Sequence, residues 1–196
     1  MERELGYPVS RFAISSNFTN KAETTFTMHC HDRRFKKVSI LSETGATLFT
    51  ASSDGFGSWS WRRTIKDAEG NHLFDIRKID YMTRDAWGVK SLEGEEICSL
   101  RHPSFTSYFT NVFAIDVLDS KSEVVAKMRP QDQKGLMTTV QMDGVDVVEI
   151  QLIGMNDDTK VLDRTTWKAK VASGVDLVLV VAIMLVRAEL QHVWRK

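Results

Sequence analysis

The amino-acid sequence predicts a mainly β protein of the α+β kind, a closed antiparallel β-barrel of about twelve strands wrapped around one hydrophobic C-terminal helix. Three observations predict it. From Thr25 onward, apolar and polar residues alternate with a period of two for almost 150 residues. Clusters of Gly, Asp, Ser and Asn break that alternation at short intervals, as hairpin turns do. After it comes Leu177 to Val186, ten apolar residues in a row, which leave a helix no polar face and so predict that it is enclosed on all sides.

Residues 1–24 are polar and lack a sustained period, with Tyr7, Phe12, Ile14 and Phe18 as isolated apolar points. They are expected to form an extended, partly ordered arm. The barrel domain, with its central helix, occupies 25–196. Its first strand sets Phe26, Met28 and Cys30 on one face and Thr25, Thr27, His29 and His31 on the other. The same period places Trp59, Trp61 and Ile65 against Ser58, Ser60, Arg62, Thr64 and Lys66. It recurs in Val148, Ile150 and Leu152, and again in Trp167, Ala169 and Val171. Turn signals lie at Ser42 to Gly45, Asp67 to Asn71, Glu93 to Glu95, Asp119 to Ser122 and Asp143-Gly144, the last a two-residue loop whose backbone needs positive φ. Counting the runs gives strands near 25–31, 36–42, 46–51, 58–66, 71–79, 85–92, 96–102, 110–118, 123–129, 136–142, 145–153 and 163–171. A meander of that many strands must curl or close to remove its edges.

Ser173 and Asp176, three residues apart just before the apolar run, read as a capping pair, and the basic residues at the far end suit the negative end of a helix dipole. The helix is therefore predicted over 175–192. A transmembrane span needs about 20 apolar residues, and this run meets charge at Arg187 after ten. A buried strand would suit the Val and Ile content, but ten residues with a polar, capped continuation is long for a strand. Burying ten such side chains gains on the order of 15 to 30 kcal/mol gross, so the strands that precede them must wrap them.

The chain has 196 residues, enough for one domain with a sizeable core. Its 26 basic and 26 acidic side chains cancel, so contact with nucleic acid or an anionic membrane must come from a local patch. Cys30 and Cys98, without a leading signal region, predict free thiols in a reducing compartment. Asn17-Phe18-Thr19 matches a glycosylation acceptor by chance. With three prolines and no low-complexity tract, no internal linker is visible.

The motifs that announce catalysis are missing: there is no G-x-S-x-G, P-loop, H-E-x-x-H or dinucleotide fingerprint. An enzyme is disfavoured, with no catalytic residue and no cofactor assigned. A zinc site needs three or four converging ligands, whereas Cys30 points away from His29 and His31, and Cys98 and His102 lack C-x-x-C partners, so no metal is expected. Asp157-Asp158 reads as loop solubility. The densest basic group is His31, Arg33, Arg34, Lys36 and Lys37, interrupted by Asp32 and Phe35, between the first two strands. Its cations suit a phosphate or inositol headgroup, with Phe35 dipping into an interface; the competing reading is a solvated loop that keeps an edge from pairing. Arg62/Arg63, Arg77/Lys78 and Lys168/Lys170 read as exposed strand faces.

Several pieces carry a resemblance: Thr47-Leu48-Phe49, the hairpin segment from Ile65 through Asp67, Gly70, Leu73 and Phe74 to Arg77, Trp87-Gly88-Val89, and Gly174-Val175-Asp176 before the apolar helix. In their order and spacing, from about Thr25 to His192, the chain resembles the LURP-one-related family, which belongs with the tubby C-terminal domain and the phospholipid scramblases in one tubby-like fold. The resemblance implies a twelve-stranded barrel around that helix, no established enzymatic activity and, as in tubby, an ability to hold phosphoinositide headgroups. None of tubby's lipid-contacting residues is carried over. Scramblases add proline-rich and cysteine-rich segments that this chain lacks, which argues against a lipid-moving role.

The resulting expectation is a non-enzymatic binding or adaptor protein for an anionic phospholipid (phosphoinositide) headgroup or a protein partner, with Arg33, Arg34, Lys36 and Lys37 as the ligand-binding residues. It is expected to be monomeric and cytoplasmic, peripheral to the membrane, with no transmembrane span. The alternative is a transcription-linked or nucleic-acid-associated adaptor, against which the flat charge balance weighs. Scramblase-like activity ranks third.

Overall fold

The computed structural model describes residues 4–8, 12–31, 36–53, 62–80, 86–104, 112–156 and 164–193. Among them are twelve strands: β1 (Thr24–Cys30), β2 (Lys37–Ser42), β3 (Thr47–Ser52), β4 (Arg62–Asp67), β5 (His72–Asp80), β6 (Ala86–Lys90), β7 (Glu96–Arg101), β8 (Ile115–Asp119), β9 (Val124–Pro130), β10 (Met137–Met142), β11 (Val145–Asn156) and β12 (Arg164–Val171). One helix, α1 (Leu177–Val193), follows. Each strand pairs with the next in chain order, and β12 returns to β1 with Thr24 opposite Val171 and Met28 opposite Trp167, which closes the barrel. The predicted starts of the fourth, sixth, eighth and twelfth strands, at 58, 85, 110 and 163, fall on positions outside the described residues.

The period-two pattern does what it predicts. Phe26, Met28 and Cys30 of β1 and Trp167, Ala169 and Val171 of β12 all face inward and are buried. The turns carry their own hydrogen bonds: the Asp67 carboxylate accepts the Asn71 backbone N–H at 2.8 Å, and Asp119 accepts those of Lys121 and Glu123, each at 2.9 Å. Asp143 and Gly144 stand at φ 51° and 80°, the backbone a two-residue hairpin requires. A register shift recurs beside each of the five hairpin turns, at Ile40/Leu41, Ile65/Lys66, Val89/Lys90, Val117/Leu118 and Val140/Gln141. Bulges bend a strand and increase its twist, so this repeated shift helps curl the sheet into a tube.

Alternation of strand direction sorts the connections onto two ends. The short turns between β2 and β3, β4 and β5, β6 and β7, β8 and β9, and β10 and β11 lie at what we call the hairpin end, where β12 also leads into α1. The connections after β1, β3, β5, β7, β9 and β11, most of them longer, belong to the opposite, long-loop end.

The helix, about 25 Å long for its 17 residues, runs from the hairpin end through the lumen. Every residue from Val178 to Ala188 is buried. Its start differs from the predicted one. Asp176 is the cap, its Oδ1 accepting the Val178 N–H at 2.9 Å, while the Ser173 hydroxyl turns away and donates to the Lys21 carbonyl at 3.0 Å. The predicted capping pair is thus a single cap, because the arm competes for Ser173. The polar end of the helix also begins later than the sequence suggests. Arg187, Leu190 and Gln191 are buried, since the lumen continues beyond the apolar run.

Where the sequence suggests a loose arm, residues 12–20 form a strap over the hairpin end. Ile14 and Ser15 donate their backbone N–H groups to Asp176 Oδ2 at 2.7 and 3.0 Å. A single 3-10 turn, Ser16–Phe18, then sets Phe18 edge-on against Phe49, ring centroids 5.2 Å apart. Asn20 closes the strap: its Oδ1 accepts the Val175 N–H at 2.9 Å and its Nδ2 donates to the Ala172 carbonyl at 2.8 Å.

Candidate functional site

The two barrel ends offer different chemistry. At the hairpin end the strap and the start of α1 enclose a cleft of about 580 Å³, bordered by Tyr7, Phe12, Ser16, Asn20, Lys21 and Asp176. Its deepest groups are already occupied by the fold. Asp176 spends both carboxylate oxygens on backbone N–H groups, Asn20 bridges two chain segments, and Ser173 is held by Lys21. Burial pushes the Asp176 carboxyl above its ordinary value, against the opposing pull of the N–H groups of Ser15, Val178 and Ile14. This is the chemistry of a clasp.

At the long-loop end the sequence-predicted cations come into place in part. Lys36 and Lys37 stand where β2 begins, with Lys37 opposite Ser52 of β3. The Lys36 carbonyl accepts the Ser53 N–H at 3.2 Å, and the Lys37 carbonyl accepts the His31 N–H at 3.1 Å. Lys37 is exposed and Lys36 half-buried. Arg33 and Arg34 lie outside the described residues, although β1 ends and β2 starts on this rim. His31 is tied to Ser39 by a 2.9 Å side-chain bond, and its ring stacks on His29 with centroids 6.5 Å apart.

Three of the secondary basic residues flagged in the sequence have partners on the barrel wall. Arg62 reaches Asp75 at 2.6 Å across the β4–β5 pair, Lys78 lies over the Trp87 ring at 5.6 Å, and Lys170 meets Glu23 at 3.3 Å. Arg63, expected on an exposed face, is buried. It occupies an inward position of β4, two residues before Ile65.

Sequence reasoning missed Arg187. This side chain is fully buried inside the long-loop half of the lumen. Its Nε donates to Thr138 Oγ1 and one Nη2 N–H to Gln191 Oε1, both at 3.0 Å, and Nη2 also donates to the Gly135 carbonyl. The guanidinium sits over Phe113 at 4.1 Å and Trp167 at 5.0 Å, an aromatic box suited to a cation. Burial pulls its pKa down to about 9, against the field of Asp132. The only local hint in the sequence is Leu190, an apolar residue three positions past Arg187.

Among the described residues, no group of three or more His, Cys, Asp or Glu converges as metal ligands would, and no helix is long and apolar enough to cross a membrane.

These features define a class: a closed twelve-stranded antiparallel barrel whose C-terminal helix is its own core. Within that class the chain belongs to the LURP-one-related family, whose sequence profile matches residues 24–188. The fold is similar to that of an Arabidopsis thaliana protein solved by X-ray crystallography, with a TM-score of 0.68 and 10% identity over 92% of this chain and 98% of that one. Comparison with curated proteins gives no match.

Proposed function

We propose that this protein acts by binding and not by catalysis, and that its ligand is an anionic phospholipid headgroup, of the phosphoinositide kind, taken at the long-loop rim. One observation supports the reading most. In the sequence, Arg33, Arg34, Lys36 and Lys37 form the densest cation cluster of a neutral chain with the single acid Asp32 among them, and the described part of that cluster, Lys36 and Lys37, stands at the long-loop rim where β2 begins. A phosphate ester accepts hydrogen bonds from several such cations, and its charge favours a site with few competing carboxylates. A protein working in this way sits in the cytoplasm and visits the membrane surface.

Vesicle flotation tests it, using phosphatidylcholine with and without phosphatidylinositol bisphosphate. The protein floats with the second composition. Each cation near the surface contributes about 1 kcal/mol, so replacing Arg33, Arg34, Lys36 and Lys37 by Ala lowers the partition coefficient by roughly a hundredfold or more. Flotation that survives this replacement undiminished removes the basic connection as the site.

A further inference from the structure

A lumen filled by Val, Leu, Ile and Met gains little from a charge, because taking a guanidinium out of water costs more than neutral partners return. Arg187 nevertheless sits there with none of its surface exposed. Its acceptors are all uncharged: the Thr138 hydroxyl, the Gln191 amide oxygen and the Gly135 carbonyl. Asp132, whose field reaches it, is exposed and gives its carboxylate to the Leu136 and Met137 N–H groups at 3.1 and 2.7 Å. With a pKa of about 9 the group is still a cation at neutral pH. Among the described residues no carboxylate is hydrogen-bonded to it.

Its hydrogen bonding is also incomplete. Nη1 is buried and donates to no described atom. The Thr138 hydroxyl accepts from Nε and has no described acceptor for its own O–H. Gln191 accepts from Nη2 through Oε1, which leaves the N–H groups of its Nε2 unspent among the described residues. Buried donors without acceptors are costly, and native interiors keep few of them. Donors of three kinds beside an uncompensated cation select an anion with several acceptor oxygens; a cation or a neutral carbonyl would leave the charge standing.

The enclosure limits the size of that anion. The Phe113 ring stands 4.1 Å from the guanidinium carbon and is only half-buried, just before β8 begins at Ile115. Gly135 packs the β9–β10 connection against the same group, since a Cβ there would meet both Arg187 Nη2 and the Phe113 ring. Gln191 keeps 6% of its surface open, so solvent touches the amide that Arg187 holds. A compact oxyanion suits such a place, and an extended ligand does not.

We propose that Arg187, with Thr138 and Gln191, is a buried binding site for a phosphate group, reached from the long-loop end past Phe113. It goes beyond the headgroup reading above, because it needs none of the rim cations and holds equally for free phosphate and for a phosphate carried on an inositol ring. The oxygens of one phosphate accept from the guanidinium, the hydroxyl and the amide together, and its charge offsets the one that burial leaves uncompensated.

Titration calorimetry of the full chain with inorganic phosphate, at neutral pH and constant ionic strength, tests the site. The parent binds one phosphate per chain. Arg187→Met fills much of the same space without charge, binds none and still melts cooperatively. Thr138→Val and Gln191→Leu each remove a donor while keeping the cation, and each weakens binding by about tenfold or more; they test the site even where Arg187→Met does not fold. Replacing Lys36 and Lys37 together by Ala leaves the affinity within about twofold. Soluble inositol trisphosphate, titrated in parallel, separates the sources: binding that depends on Arg187 means the site also takes a ring-borne phosphate, and binding without that dependence means it takes the free ion only. Absence of phosphate binding in the parent overturns the site, as does binding that survives Arg187→Met. Loss of binding in the double lysine variant moves the phosphate to the rim, which supports the headgroup reading and overturns this one. Vesicle flotation that is lost with the rim cations and kept in Arg187→Met leaves the headgroup reading standing whatever the calorimetry gives.

Discussion

Replacing Asp176 by Ala opens the clasp at both of its jaws. The carboxylate accepts Val178 N–H at 2.9 Å as the helix cap and the Ile14 and Ser15 N–H groups at 2.7 and 3.0 Å from the strap. Losing the cap costs about 1 kcal/mol. Each strap bond to a charged acceptor is worth about 1.5–3 kcal/mol, but a released strap regains water, so the substitution should cost about 2–4 kcal/mol in all. For a domain of this size that lowers Tm by roughly 5–15 °C.

The pH dependence has a definite sign. Burial holds the folded pKa of Asp176 above its ordinary 3.8. The folded state therefore binds this proton more tightly than the unfolded chain, and the stability so gained is fully present below 3.8 and is lost as pH rises through the raised value. Asp176→Asn removes that dependence. The parent should thus lose stability relative to Asp176→Asn as pH climbs through the window between 3.8 and the raised value, and run parallel to it above. Denaturant titrations read both effects, and hydrogen exchange at the Ile14 and Ser15 amides reports the strap directly. An Asp176→Ala protein within about 0.5 kcal/mol of the parent, with those two amides exchanging no faster, would refute the clasp.

Other perturbations follow from the same geometry. Val181→Asp places an unpaired charge at a fully buried position of α1 and should cost more than about 4 kcal/mol, read as insoluble expression or loss of a cooperative melt. Gly135→Ala should cost about 2–3 kcal/mol by thermal melt, because its φ is +63° and a Cβ there would sit 2.6 Å from Phe113 Cδ2, beside Arg187. Burial, with the fields of Glu96 and Asp176 adding to it, pushes the Cys98 thiol up to about 12. Cys98 should therefore resist a thiol reagent in native protein at neutral pH and react at once in denaturant; rapid native labelling would contradict its enclosure.

The barrel is legible in the sequence because its signals are local. Alternation in Phe26, Met28 and Cys30 and turn chemistry at Asp143-Gly144 each act within a few residues, and the order of hairpins then leaves little choice of topology. The helix is legible because ten apolar residues in sequence cannot all find a surface. What escaped depends on distant partners. The bonds from Ile14 and Ser15 to Asp176 join residues more than 160 positions apart, so nothing near the arm announces a strap. Arg187 reads as the start of a polar end, and apart from Gln191 the groups that make its burial tolerable, Thr138, Gly135 and the Phe113 and Trp167 rings, come from other parts of the chain. At the rim, the clustering of Arg33, Arg34, Lys36 and Lys37 is visible in sequence, whereas the place of Lys36 and Lys37 at the long-loop end follows only from the order of the strands.

Everything above depends on the lumen being filled by α1. Ending the chain after Ala172 takes away the helix and leaves all twelve strands, and a calorimetric scan of the product measures the consequence. The expected result is aggregated or molten protein without a cooperative transition; a soluble 1–172 chain that unfolds in one sharp, reversible step would show that the barrel holds its shape without a core helix.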